Sequence, residues 1–189
     1  PGSRYGGDNS WPEGQEGLRE AMEDYYDKVD HVSDQLLKAF ADLFGLETDA
    51  LQKLRSADSA SDLELLHFPG DADAGGSAYS DEYRTAPGAF LIFNNNEPCL
   101  QVRGLEGEWY NVRVGTERLV VLIGDAMERL TNGHLPATKF KVTPSRHERQ
   151  AIKFSARFDP DVTLQPLPEF GDPDAKYPAA TQLQLLQAK

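Results

Sequence analysis

Cysteine is nearly absent: Cys99 is the single thiol in 189 residues. That excludes an intrachain disulfide and gives no support to an oxidising compartment. No apolar run approaches the ~20 residues of a membrane-spanning helix, and no secretory leader is visible. The expected setting is therefore soluble and cytoplasmic. Cations are short as well, with 19 Lys and Arg against 31 Asp and Glu, a net charge of −12. The deficit is uneven: residues 1–98 carry 7 cations against 20 anions, and residues 99–189 carry 12 against 11. An acidic front half disfavours nucleic acid and anionic membrane as partners, and reads as a solvated helix face. Histidine is the last shortage, with four in the chain and none between Phe68 and Gly133. A phosphate loop is missing too, since Gly124 has no glycine-rich spacing before a long helix.

What remains is a β-rich globular pattern. Its centre is Leu119–Gly133, in which five apolar residues, Leu119 to Ile123, read as a strand buried on both faces. Gly124-Asp125 breaks that strand, and a short helical turn follows with Asn132-Gly133 as its exit. Upstream, Cys99–Val114 alternates on either side of a turn at Glu106-Gly107, a β-hairpin. Downstream, Ala137–Val142 is another short strand. The strongest helix spans Gly17–Phe44, where Leu18, Met22, Tyr25, Val29, Val32, Leu36, Phe40 and Leu43 form one stripe that Gly45 ends. Thr48–Arg55 reads as a second short helix capped by Thr48 or Asp49. Strands are expected over Asp62–Phe68, Ala89–Phe93 and Arg149–Phe158, with turns at Asn94–Pro98 and Pro144–Glu148 and a polar loop after Gly70. Val162–Leu167 is a last extended piece, and Leu183–Leu186 a C-terminal helical turn or fraying tail.

Leu100-Gln101-Val102, Gly107-Glu108-Trp109, Ile123-Gly124-Asp125 and Arg129–Gly133 occur in an order and spacing that resemble the core of the iron(II)/2-oxoglutarate-dependent oxygenases. The branch is that of isopenicillin N synthase and its plant and fungal relatives, and the likeness spans roughly residues 9–168. It implies a mainly β fold with helices: a double-stranded β-helix (jelly-roll, cupin-like) barrel backed by a long N-terminal helix. On that basis the chain divides into 1–3, which looks like a tag scar, 4–16 as an N-terminal segment, 17–58 as helical support, 59–170 as barrel core and 171–189 as tail. Most of the region that the family places before Asn9 is absent, so the chain reads as either a fragment or a naturally short protein.

The same resemblance implies a site that these residues do not reproduce. An oxygenase of this kind holds iron with two His and one carboxylate, leaving open positions for co-substrate and oxygen. Aligning Gly76-Ser77-Ala78 with the family's lead-in puts Tyr79 at the first His and Asp81 at the Asp. Counting back without gaps from Leu100 gives Tyr83 and Thr85 instead. Ala137–Val142 matches the family's Ser-Thr-x-His-Arg-Val, which puts Phe140 at the second His, with Thr138, Phe140 and Val142 facing in and both lysines facing out. The family's Arg-x-Ser clamp for 2-oxoglutarate reads Arg149-Gln150-Ala151, and its Asn-x-Tyr-Pro reads Leu66-His67-Phe68-Pro69. Of the positions the resemblance carries over, Arg149 matches the family's residue, and Asp81 matches under the first of the two alignments. His134 and His147 read as exposed turn residues and His31 as structural. His67 could join Tyr79 and Asp81 in a weaker cluster. Cys99 reads as a buried thiol.

Three functions follow from these residues. The first is a metal-independent protein that uses the barrel pocket to bind a small organic, carboxylate-bearing molecule, or to catalyse a rearrangement, cyclisation or elimination. It needs no cofactor; Tyr79, Asp81 and Tyr83 are its candidate acid–base groups, and Arg149, Phe140, Phe68 and Ala151 its ligand wall. The second is a non-catalytic interaction protein with a protein partner. The third is an active dioxygenase with an atypical site, for which iron(II) and 2-oxoglutarate would be the cofactors.

Overall fold

A computed structural model of the chain describes residues 9–70, 83–96, 99–113, 115–143, 147–171 and 176–188. The expected features at 1–3, the loop segment 71–82 and the start of the turn at 144 lie outside that set.

The helix α1, Glu16–Leu43, packs on the back of the larger sheet through Val29, Ser33, Leu37 and Ala41. This line is rotated from the expected stripe, and Leu43 is 73% exposed. Ser33 and Ala41 are the reason. Small residues on an i, i+4 ridge let the helix axis approach the sheet closely, and the Ser33 hydroxyl is satisfied by donating to Val29 O at 3.1 Å. The helix ends in a Schellman arrangement, with Leu46 N donating to Ala41 O and Gly45 N to Asp42 O. Gly45 supplies the left-handed φ of +71°. The second helix is reduced to a single 3₁₀ turn at Gln52–Leu54. The Thr48 hydroxyl donates to Asp42 instead of capping, and Arg55 turns extended to reach Asp30, Asp34 and Ser61.

Four strands make the larger antiparallel sheet: β1 Asp62–Phe68, β2 Phe90–Asn95, β5 Val120–Ile123 and β7 Arg149–Ala156, in the order β1-β7-β2-β5. The smaller sheet holds β3 Leu100–Arg103, β4 Trp109–Asn111 and β6 Phe140–Val142, ordered β4-β3-β6. Arg84 extends it by bridging Phe140, each backbone N–H donating to the other's carbonyl at 2.9 Å. The sheets are not closed by hydrogen bonds; they face each other across apolar side chains, the jelly-roll arrangement. The hairpin turn and the strand Asp62–Phe68 fall where the alternation placed them. Strand β2 runs on through Asn94 and Asn95, because the Asn94 amide is taken by Thr116 O and Arg118 O and the Asn95 amide by Cys99 Sγ. Strand β5 is an edge strand, so only Leu122 is fully buried and Leu119 is 41% exposed.

Helix α2, Asp125–Leu130, starts at Gly124, where a Cβ would lie 2.0 Å from Gly88 O; only glycine fits there. Asn132 and Gly133 close it with φ of 49° and 82°. A two-stranded ribbon, β8 Thr163–Leu164 with β9 Ala180–Thr181, leads into α3, Gln182–Gln187. The tail is thus a capped helix, with a capping box at Thr181 and Gln184. No helix among the described residues is long and apolar enough to cross a membrane.

Candidate functional site

Alternation sorts the larger sheet into two faces. Phe90, Ile92 and Phe154 join the helix-side core, so their neighbours Leu91, Phe93, Arg149 and Ala151 look into the barrel lumen. The register then sets who meets whom on that side. Phe68 stands opposite Arg149 and Leu66 opposite Ala151, while Asn95 stands opposite Ala151 from β2.

At one end the lumen is filled. Phe140, 8% exposed, packs with Leu91, Phe93, Leu100 and Leu122. Its ring meets Phe93 edge-on, with centroids 6.1 Å apart and an interplanar angle of 71°. The inward register expected for Phe140 is the one observed. Val142, at the strand end on the same side, is 39% exposed instead of buried.

At the other end stands Arg149, 4% exposed. It opens strand β7 yet is buried and does not pair with Glu148, whose carboxylate goes to exposed His67 at 3.0 Å. Its Nη1 donates to Thr143 O at 2.6 Å, and its guanidinium carbon lies 4.4 Å over the Phe68 ring. Its Nε has no hydrogen-bond partner, and no described carboxylate forms an ion pair with it. Cation–π contact and one carbonyl are modest compensation for a buried charge.

Between and beyond these ends runs a set of lumen-face charges that the motif comparison passes over. Glu64 pairs with Lys153 and Asp62 with Arg157. The second pair is ionic without good hydrogen-bond geometry, since Asp62 Oδ1 and Arg157 Nε both lack a hydrogen bond. Burial pushes the Asp62 carboxyl up, Arg157 works against that, and neighbouring Glu64 adds to the rise. Burial opposes the Glu64 charge too, but hydrogen bonds from Lys153 and Asp62 outweigh it and hold that carboxyl below its ordinary value. The signal for this set was present in the sequence: Asp62, Glu64, Leu66 and Phe68 alternate on one face of one strand.

Among the described residues the other candidates do not converge. Tyr79 and Asp81 lie outside the described residues. Tyr83 is 44% exposed, and the Lys139 ammonium sits 4.9 Å over its ring. Because Lys139 alternates with Phe140, this contact sets Tyr83 on the outer side of the smaller sheet. His134 packs on Phe170 and bonds Thr131 O through Nδ1, and His31 is exposed on α1.

The chain matches the 2OG-Fe(II) oxygenase superfamily over residues 63–158, and it belongs to that superfamily. It is 29% identical over 167 residues to the 2-oxoglutarate-dependent dioxygenase frbJ of Dothideomycetidae sp. (strain 11243), covering 83% of this chain and 44% of that one. With gibberellin 2-beta-dioxygenase 2 of Arabidopsis thaliana it shares 28% over 157 residues, or 80% of this chain and 46% of the relative. The chain thus spans about half the length of the curated relatives it matches. Among solved structures, a 2OG-Fe(II) oxygenase family protein from Caulobacter crescentus superposes with a TM-score of 0.80 at 26% identity, covering 96% of this chain and 61% of that one. A Neurospora crassa protein solved in complex with alpha-KG gives a TM-score of 0.86 at 18% identity, covering 97% and 61%; that likeness shows the fold alone.

The superfamily's iron centre does not fit the donors described here. A phenyl ring at position 140 offers no lone pair, and no group of three His, Cys, Asp or Glu able to hold a metal comes together among the described residues. For a carboxylate the fit is partial: Arg149 is present, while Ala151 and Phe68 contribute no hydroxyl.

Proposed function

We propose that this domain is a metal-independent member of the superfamily that binds a small carboxylate-bearing molecule in the barrel lumen, with Arg149 as its anchor. The observation that carries this reading is a guanidinium buried in the lumen with a free Nε and no ion-paired carboxylate among the described residues. A buried cation of this kind costs stability until an anion neutralises it, so a ligand acid has a standing advantage there. If chemistry occurs, it is acid–base chemistry that needs no iron, with Tyr79 and Asp81 as the groups to test. The filled lumen at Phe140 supports a second reading, a non-catalytic interaction domain.

An anaerobic melting experiment separates these readings. A carboxylate ligand at about 100 times its Kd should stabilise by about 2.7 kcal/mol, several degrees for a chain of this size. Iron(II) with 2-oxoglutarate should add nothing beyond the acid alone, and iron retained after desalting should fall far below one equivalent. Stoichiometric iron would overturn the metal-independent reading. Indifference to every acid tried would leave the interaction domain.

A further inference from the structure

We infer that the ligand taken at Arg149 is an amphipathic monocarboxylate, one acid group on an apolar body, and not a short dicarboxylate. This rests on the reading of Arg149 as an acid anchor and specifies what that anchor selects.

The strand register decides what surrounds the guanidinium. Phe68 covers one of its faces, and Leu66 and Ala151 continue the same side of β1 and β7. The nearby polar groups are engaged: the Asn95 amide donates to Cys99 Sγ, and the Thr143 hydroxyl donates to Cys99 O at 3.1 Å. Among the described residues, Arg149 Nε is a buried donor left without an acceptor at this end of the lumen. One guanidinium carries one full charge, and one carboxylate neutralises it.

A second carboxylate on the same ligand has no counterpart among the described residues. Inward of Arg149 the lumen meets Phe93, Leu100 and Phe140, where an unpaired anion is strongly disfavoured. Outward, the described residues nearest Arg149 are Val142, 39% exposed, and Phe68, whose side chains carry no donor. The other described cations on the lumen face, Lys153 and Arg157, are already matched with Glu64 and Asp62. An apolar body, by contrast, gains by leaving water against the same walls.

The decisive comparison uses acids of equal length on the intact chain: hexanoate, adipate and the uncharged 1-hexanol, followed by calorimetry and melting. Hexanoate should bind at least ten-fold tighter than adipate, and 1-hexanol should not bind measurably. Phe68→Tyr with Ala151→Ser, which adds two hydroxyls beside Arg149, should narrow the gap by raising adipate affinity. Adipate binding as tightly as hexanoate would overturn the monocarboxylate assignment while leaving the acid anchor standing. Binding of neither acid, or of the alcohol as well as the acid, would overturn the anchor itself and this inference with it. The wild-type ranking decides these outcomes even if the double variant fails to fold.

Discussion

The two ends of the lumen handle burial in opposite ways. Around Phe140 the sheets close on apolar side chains, and nothing buried there asks for a partner. Around Arg149 an equally buried group carries a full charge with, among the described residues, one carbonyl and one ring for company. The first end behaves as core, stabilising the barrel by removing surface from water. The second is the site we propose, because it holds an electrostatic demand that the described fold leaves unmet. Another buried cation makes the contrast sharper. Arg55, its side chain 5% exposed, pairs with both Asp30 and Asp34 and ties α1 to the barrel.

The largest expected effect tests the core end. Phe140→Ala should cost about 3–5 kcal/mol, read from the denaturation midpoint, since it removes a buried ring and leaves a cavity. An unmoved midpoint would mean that Phe140 is not core and that the comparison fails at its first term. Next comes Arg55→Met, which should cost about 2–3 kcal/mol, because charge-assisted hydrogen bonds to two carboxylates are lost. Arg149→Met should stay within about 1 kcal/mol of the parent in the absence of ligand, since it removes a buried charge that no described carboxylate pairs with. It should also abolish the thermal response to carboxylic acids. A loss as large as that of Arg55→Met would show that Arg149 is structurally paired, and the two ends would then differ only in composition.

The smallest effect is a pH dependence at the charged part of the lumen face. Asp62 is raised above its ordinary value of 3.8 in the folded chain. The folded state therefore holds that proton more tightly than the unfolded one, and stability from this group is full below 3.8 and lost as pH rises through the folded value. Asp62→Asn lacks that loss, so its stability relative to the parent should rise with pH across the acid range and then level off. The partial exposure of the carboxylate keeps the slope shallow. A difference that falls with pH instead would show that Arg157, not burial, dominates Asp62.

Much of the barrel was legible from alternation and turn residues, because those signals are local. Asp62–Phe68, the hairpin at Glu106-Gly107 and the Asn132-Gly133 exit were each readable within a few residues, and the inward register of Phe140 followed from its flanking lysines. The orientation of α1 was not, since hydrophobic periodicity passes over Ser33 and Ala41, whose smallness matters only once a sheet lies against them. The Thr48–Arg55 helix failed for a similar reason: Thr48 and Arg55 are spent on partners elsewhere in the chain. At the candidate site, the sequence showed that Arg149 was present and that imidazoles were absent from Phe68 to Gly133. Whether Arg149 lay at a solvated strand end or in the lumen depended on β1 lying beside β7, and on Phe68 falling opposite it. The sequence alone determined side-chain chemistry and local period. Tertiary structure decided burial and partnership, because these depend on residues brought together from distant parts of the chain.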